Sequence, residues 1–270
     1  MVPSIFSSAL GTLPTLVDPA RIATVLLVAT RLAAALLMTP VLYAFPMPNV
    51  VRMLLVLAFS ILFVAVFPNM RAQEVLEPGS LIVSVLSELM LGAILGLSIL
   101  LAFAAFSIAG ALLDVQIGYG IAQVIDPATR RPIPILTSLF NQVATVVFFL
   151  VNGHHALLRG LAYSFERFPA GQPWPIVQAA APLARQIAGL FSIGFALAAP
   201  VVFCILLVEV GLGVLARNLP QMNMFAMGIP IKVIVGLAAL SLWMAGAGDA
   251  MSRVYFSIFK AWEGFFAGGA

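Results

Sequence analysis

Long uninterrupted apolar segments constrain this chain more than any other feature of its sequence. Six such blocks run approximately over residues 20–38, 50–67, 81–113, 135–151, 182–216 and 229–259. Only 9% of the side chains are charged and 63% are hydrophobic, whereas about 25% are charged in a soluble domain. Too few polar side chains remain to cover a water-soluble fold. We therefore predict an all-α, membrane-associated helical bundle that forms one domain over residues 1–270.

The lengths of the blocks do not fit six simple crossings. The first, second and fourth have the length of one crossing, roughly 17–25 residues. The other three are longer than about 30 residues, so we expect them to tilt, bend, fold back as hairpins or extend beyond the lipid. If each block crossed once, seven basic residues would lie on one side and five on the other. This bias is too weak to orient the chain.

Residues with catalytic or metal-binding spacing are absent from the sequence. The two histidines are adjacent at His154 and His155, and the one cysteine, Cys204, lies in an apolar block without ligands at zinc spacing. No P-loop, dinucleotide fingerprint or nucleophile elbow occurs. The basic residues are scattered, which does not suit a nucleic-acid surface. We predict a non-enzymatic protein without a cofactor, a metal or a nucleic-acid partner.

The segment from Gly110 to Pro134 joins two apolar blocks and is unusual in composition. Gly110, Gly118 and Gly120 permit backbone conformations closed to other residues, and Asp126-Pro127 prevents a continuous helix. Irregular backbone at membrane depth must be buried in protein or line a water-filled cavity. We expect a loop that lines or closes a pore. An ordinary interfacial re-entrant loop is the alternative.

Small residues in the third block indicate a tight helix contact. Gly92 and Gly96 have GxxxG spacing, which lets two helix backbones approach closely, either within the chain or with a partner.

Four ionisable residues, Arg31, Glu88, Glu209 and Lys232, lie inside apolar blocks. Such groups must face protein or water. They could couple an independent transporter to protons or ions, through Glu88 or Glu209. We favour the other interpretation, in which they pair structurally or extend from helix ends towards water.

A polar segment after the fifth block predicts a rigid helix–loop–helix corner. Pro220 would end the fifth block, and Gln221 and Asn223 could bond loop backbone. Pro230 suits the first turn of the sixth block, shortly before Lys232.

Together these segments resemble the FliR/SctT family of type III secretion export proteins, and the flagellar FliR branch in particular. The resemblance covers nearly the whole chain. It is carried by Gly110, Asp114, Gln116 and Gly118, by Asp126-Pro127, by Asn152-Gly153-His154, by Ser164-Phe165 and Pro169, by Arg217, Pro220, Gln221, Asn223 and Phe225, and by Pro230 and Lys232.

The resemblance implies a subunit of the flagellar protein export gate in the bacterial inner membrane, at the base of the flagellum. The partners implied are FliP and FliQ homologues in a helical hetero-oligomer, an FlhB homologue, and the unfolded proteins that are exported. The segment matching Gly110 to Gln123 would plug the closed channel. Its glycines would let it fold and move, while Ile117, Tyr119, Ile121 and Val124 would make apolar contacts. The corner from Pro220 to Phe225 would fix the helix pair that meets neighbouring subunits, and the interface or corner residues would also include Gly92, Gly96, Arg217, Pro230 and Lys232. The virulence secretion homologue of the same gate is the alternative.

Overall fold

The computed structural model describes residues 19–43, 47–67, 78–120, 123–125, 132–172, 174, 176–218 and 224–267. They form eight α-helices, a 3₁₀ turn at Pro40–Tyr43 and a two-stranded hairpin. The helices are α1 (Pro19–Leu37), α2 (Asn49–Val66), α3 (Pro78–Ile117), α4 (Ile135–Leu150), α5 (Gly153–Arg167), α6 (Val177–Asn218), α7 (Met224–Gly246) and α8 (Gly248–Ala267). The predicted all-α membrane bundle is confirmed.

The central element is α3, a helix of 40 residues that packs against α1, α4, α6, α7 and α8. Its buried side chains, among them Leu95, Phe106 and Leu113, are hardly exposed at all. At 1.5 Å per residue, α3 is about 60 Å long, about twice the thickness of a bilayer's hydrocarbon core. The third block is therefore one continuous helix that is too long for an upright crossing, so it must tilt or extend beyond the lipid.

Close packing of α3 on α1 depends on Gly92 and Gly96. A Cβ atom at Gly92 would lie 2.3 Å from the carbonyl oxygen of Arg31, and one at Gly96 would lie 2.8 Å from that of Ala35. Side chains at these two positions would therefore push the helices apart. The seam formed by this GxxxG pair lies within the chain, because α1 covers that face of α3.

Several block boundaries differ from the sequence prediction. The fourth block is followed by a further helix, α5, which lies between the predicted blocks 135–151 and 182–216. The sixth block is two helices, α7 and α8, separated at Ala247. Pro230 lies inside α7 rather than in its first turn, because α7 begins at Met224. The fifth block extends further in both directions, so that Pro182 is inside α6.

The break between α4 and α5 turns the chain by 70°. Asn152 adopts a left-handed conformation with φ of 56°, which asparagine tolerates better than most residues. At the next position a Cβ atom on Gly153 would lie 2.5 Å from the ring of Phe148. These two residues allow the sharp change of direction.

Five helices, α1, α2, α3, α6 and α7, are long and apolar enough to cross a membrane, and the bent α4–α5 pair would make a sixth crossing. The remaining helix, α8, is fastened to the core through Tyr255. The Tyr255 hydroxyl donates a hydrogen bond to the carbonyl oxygen of Ala144 in α4, and its ring stacks on Phe106 of α3. Burial raises the pKa of Tyr255, so the hydroxyl keeps the proton that it donates.

Candidate functional site

The region after α3 differs from the irregular segment expected from the sequence. Residues 110–117 continue α3 without a break, so Gly110, Asp114, Gln116 and Ile117 are helical. The expectation of irregular backbone from Gly110 onward is therefore wrong for these eight residues. The helix continues here because the Asp114 carboxylate finds its hydrogen-bond donors on α4, and because Gly110 packs against α4. The glycine-rich stretch proper begins at Gly118.

Asp114 joins the end of α3 to the beginning of α4. Its carboxylate accepts hydrogen bonds from the backbone N–H groups of Leu136 at 2.9 Å and Thr137 at 2.8 Å, and from the Thr137 hydroxyl at 2.7 Å. The first N–H groups of a helix have no partner inside it, and a negative charge there also interacts favourably with the helix dipole. Asp114 thus caps α4 from a distant part of the sequence. It is only 1% exposed.

Gly110 lies one turn before Asp114 and makes this contact possible. A Cβ atom at Gly110 would lie 2.5 Å from the Cα atom of Thr137 and 2.9 Å from the carbonyl oxygen of Leu136. Both are backbone atoms, so neither can move aside. We call the contact of Gly110 and Asp114 with Leu136 and Thr137 the neck, because it holds together the two ends of the segment 118–134.

Beyond the neck, the backbone leaves the helix at Gly118. Gly118 has a φ of 103°, a conformation that glycine adopts readily, and its N–H donates to the carbonyl oxygen of Asp114 at 3.2 Å. Gly120 and Gly118 are exposed, while Tyr119 packs partly against the core. Ile117 is fully buried against α7, where a Cβ atom on Gly236 would lie 2.6 Å from its side chain.

A short antiparallel hairpin follows, with β1 (Gln123–Ile125) paired to β2 (Pro132–Pro134). Gln123 is opposite Pro134, and Ile125 is opposite Pro132. The sequence analysis did not predict these strands, which are only three residues each. Ile121 lies outside the described residues, and the side chains of Gln123 and Val124 are not described.

Replacing Asp114 by alanine should destabilise the chain by about 2 kcal/mol, because it removes a helix cap and leaves buried N–H groups without an acceptor. Thermal unfolding of the detergent-purified chain would measure the loss. Asp114→Asn keeps one acceptor oxygen and should lose less. Asp249→Ala, at the exposed first turn of α8, is the matched control and should change stability by less than about 0.5 kcal/mol. Equal losses for Asp114→Ala and Asp249→Ala would contradict the role of the neck.

The predicted corner is only partly described. Arg217 lies exposed in the last turn of α6, which ends at Asn218. Pro220, Gln221 and Asn223 lie outside the described residues, and the side chain of Phe225 is not described. Pro230 and Lys232 are both in α7.

The ionisable residues inside the apolar blocks form two pairs. Glu209 of α6 and Lys232 of α7 form a partly exposed pair, with side-chain exposures of 38% and 27%. Arg31 of α1 and Glu88 of α3 form a buried pair, each 1% exposed. The favoured interpretation, structural pairing, holds for both pairs. Arg31 does not extend from a helix end towards water.

Every donor of Arg31 has a partner. The guanidinium donates to both carboxylate oxygens of Glu88, to the carbonyl oxygens of Ser164 and Phe168 at 2.9 and 2.8 Å, and to the Ser164 hydroxyl at 3.3 Å. It also lies 4.1 Å from the centre of the Phe165 ring. Glu88 additionally accepts from the N–H of Gly171 at 3.0 Å. We call Arg31, Glu88, Ser164 and Phe168 the buried ion-pair centre, which joins α1, α3 and the end of α5.

The sequence does not predict this centre as a unit. Its signal there is the presence of Arg31 and Glu88 as charged residues inside apolar blocks. Pairing them requires knowing that α1 packs on α3. Because both carboxylate oxygens of Glu88 are occupied, the geometry does not favour Glu88 as a proton-coupling site of a transporter.

Comparison with known proteins agrees with the motifs. The family of bacterial export proteins, family 1, matches residues 22–257, which is most of the chain. The chain belongs to this family. The resemblance drawn from the sequence motifs, and the expected role in protein export, are thereby confirmed at the level of the family.

Several relatives of this export protein cover much of its length. It is 37% identical to the flagellar biosynthetic protein FliR of Bacillus subtilis over 58% of this chain and 62% of that relative. It is 30% identical to FliR of Aquifex aeolicus over 90% of this chain and 93% of that relative. It is also 27% identical to the Yop proteins translocation protein T of Yersinia pestis, over 70% of this chain and 76% of that relative.

This export protein exposes long apolar helix faces. Only 17% of the apolar stretch of α2 and 11% of that of α7 is buried within the chain. The exposed side chains include Val50, Met53 and Ile61 on α2, Phe191, Phe203, Leu207 and Val210 on α6, and Ile234 and Leu242 on α7. Apolar area of this extent requires lipid or other membrane proteins to cover it.

Proposed function

We propose that this chain is a non-enzymatic subunit of the flagellar type III export gate, and that the segment after α3 closes the channel for unfolded proteins. The single observation that supports this best is the neck. It holds both ends of the segment 118–134 in place and leaves the exposed glycines Gly118 and Gly120 between them. Such a segment can change conformation without separating α3 from α4.

Gate partners are proposed on the same basis. FliP and FliQ homologues would cover the exposed faces of α2, α6 and α7, and an FlhB homologue would associate with the assembly. The location would be the inner membrane at the base of the flagellum. The flagellar branch is favoured over the virulence branch because the FliR relatives of Bacillus and Aquifex are 37% and 30% identical, against 27% for the Yersinia protein.

Deletion of residues 118–122 tests the plug. It spares Asp114 and Ile117, both of which are buried structural residues. Shortening the plug should open the closed channel, so we expect a clear rise in ion leak across membranes that contain the assembled gate. The readout is conductance or a collapse of the membrane potential.

A same-length replacement of residues 118–122 by glycine and serine is the matched variant. A gate that contains this variant should also leak if apolar contacts of the segment make the seal. It should stay closed if only the length of the segment matters. A deletion variant that assembles normally and leaks no more than the unaltered protein would remove the plug assignment.

Co-purification in mild detergent tests the assembly. Recovery of the chain together with FliP and FliQ homologues is expected, since these subunits would cover its exposed apolar faces on α2, α6 and α7. Recovery as a stable lone monomer would count against the gate assignment.

A further inference from the structure

A groove of about 820 Å³ lies between α5 and α8, and none of its lining residues belongs to the neck. Its α5 wall is formed by Ala156, Arg159, Gly160, Tyr163 and Arg167, which are spaced so that they share one helix face. Its α8 wall is formed by Phe259, Trp262, Glu263 and Phe266. Nothing in the proposed gate function uses this groove.

The floor of the groove is aromatic and tightly built. The Trp262 indole lies directly against the α5 backbone, because a Cβ atom on Gly160 would lie less than 2 Å from its ring. The indole N–H donates a hydrogen bond to the Ser98 hydroxyl of α3, so the indole presents only apolar surface to the groove. Tyr163 packs edge-on against Phe266 with ring centres 5.2 Å apart, and its own side chain is 51% exposed.

The rim of the groove is basic. Arg159 and Arg167 stand two turns apart on the same face of α5, with Tyr163 between them. Neither arginine forms an ion pair with any residue that the structure describes. Among the described lining residues Glu263 is the one acidic side chain, so this part of the lining has a net positive charge.

A second, smaller groove of about 340 Å³ on the other side of α8 has the same character. Among its described lining residues are Arg185 and Lys260, and none is acidic. The two grooves together place four basic side chains and one acidic one along α8. A ligand that matches both grooves must combine an anionic group with apolar surface.

The position of α5 indicates the source of such a ligand. The chain turns by 70° between α4 and α5, so the two helices cannot both run along the membrane normal. The buried face of α5 carries Leu157, Leu161 and Phe165, whereas its open face carries the two arginines. Arginines on an open helix face attract the anionic headgroups of a lipid surface.

We propose that the α5–α8 groove binds an anionic phospholipid. Arg159 and Arg167 hold the phosphate, with the Tyr163 hydroxyl between them, and one acyl chain lies over Trp262 and Phe259. The charge of the lining selects an anionic headgroup over a zwitterionic one. The proposal does not depend on the gate function, because it concerns the isolated chain in a lipid environment.

Native mass spectrometry of the full-length chain in detergent, titrated with an equimolar mixture of phosphatidylglycerol and phosphatidylcholine, tests the proposal. Two arginines at a headgroup should favour phosphatidylglycerol by roughly tenfold to thirtyfold. Arg159→Gln with Arg167→Gln should abolish this preference, and Arg159→Lys with Arg167→Lys should retain much of it. The matched control is Arg21→Gln with Arg253→Gln, two exposed arginines on α1 and α8 that line neither groove, make the same change in net charge and should leave the preference unchanged.

Four outcomes would overturn the proposal. Equal retention of the two lipids by the unaltered chain would show that the lining does not select charge. An unchanged preference in the Arg159→Gln, Arg167→Gln variant, with its thermal unfolding intact, would place the lipid elsewhere. Displacement of the lipid by excess inorganic phosphate would show a simple anion site instead. Loss of the lipid when the chain is purified with its partner proteins would show that protein covers this surface. If the glutamine variant fails to fold, Ala156→Phe, which fills the groove without removing charge, should reduce retention of phosphatidylglycerol to the level of phosphatidylcholine.

Discussion

Replacing Glu88 by alanine is expected to cost about 3–5 kcal/mol of stability, enough to prevent accumulation of the folded chain in the membrane. The substitution leaves the positive charge of Arg31 buried and unpaired. Arg31 is 1% exposed and has no other carboxylate partner among the described residues. The substitution also removes the acceptor for the N–H of Gly171. The measurements are the steady-state amount in membranes and the unfolding temperature of whatever chain can be purified.

Two further variants separate a lost charge pair from a damaged fold. Arg31→Met with Glu88→Met removes both charges and should recover part of the loss, because apolar replacement of a buried pair is often close to neutral. Recovery will be incomplete, since the carbonyl oxygens of Ser164 and Phe168 lose their donor.

The control is Glu209→Ala, which breaks the partly exposed pair with Lys232 and should cost no more than about 1 kcal/mol. If Glu88→Ala accumulates normally and loses only an ion flux, Glu88 would be a transport residue and the structural assignment would be wrong.

Replacing Gly92 by alanine is expected to destabilise the chain by about 1–3 kcal/mol, because the new methyl group would overpack the seam between α1 and α3. Its Cβ atom would meet the backbone oxygen of Arg31 at 2.3 Å and the Cβ atom of Ala34 at 2.8 Å. Moving α1 away to relieve the overlap would also stretch the Arg31–Glu88 pair, which lies on the same two helices. Thermal unfolding in detergent is the measurement.

Gly211→Ala in α6 is the matched control, with the opposite expected sign. No atom lies within 4 Å of a Cβ atom at Gly211, and alanine is favoured over glycine inside a helix by roughly 0.5–1 kcal/mol. The same chemical change should therefore stabilise one site and destabilise the other. A destabilisation of equal size at Gly211, where no neighbour is close, would show that overpacking against α1 does not explain the loss at Gly92.

How far the sequence predicted the fold varies from element to element. The apolar blocks predicted α1, α2 and α4 nearly to the residue, because each has the length of a single crossing and is bounded by proline or polar residues. The helix α5 was not predicted. Its apolar residues Leu157, Leu161 and Phe165 recur every four positions, a helical signal that is easily lost beside Asn152-Gly153 and three charged side chains.

The end of α3 shows why local signals were insufficient. From the sequence, Gly110 predicts irregular backbone, because glycine permits conformations that are closed to other residues. In the fold, Gly110 is required because the α4 backbone passes too close for any side chain. Asp114 lies within α3 because its side chain caps a second helix, α4. Both reasons arise 22 residues or more along the chain, at Leu136 and Thr137.

The long apolar blocks alone were enough to determine that this chain is a helical membrane protein. Backbone in lipid must satisfy its own hydrogen bonds, and apolar side chains in such long blocks have no other solvent. The motifs, read together, were also enough to determine its family. Only the tertiary structure decided which apolar faces are buried within the chain and which remain open, and that Arg31 pairs with Glu88 and Asp114 with α4. Those contacts join residues far apart in sequence, and the free energy that selects them depends on distances and burial that no local pattern of residues encodes.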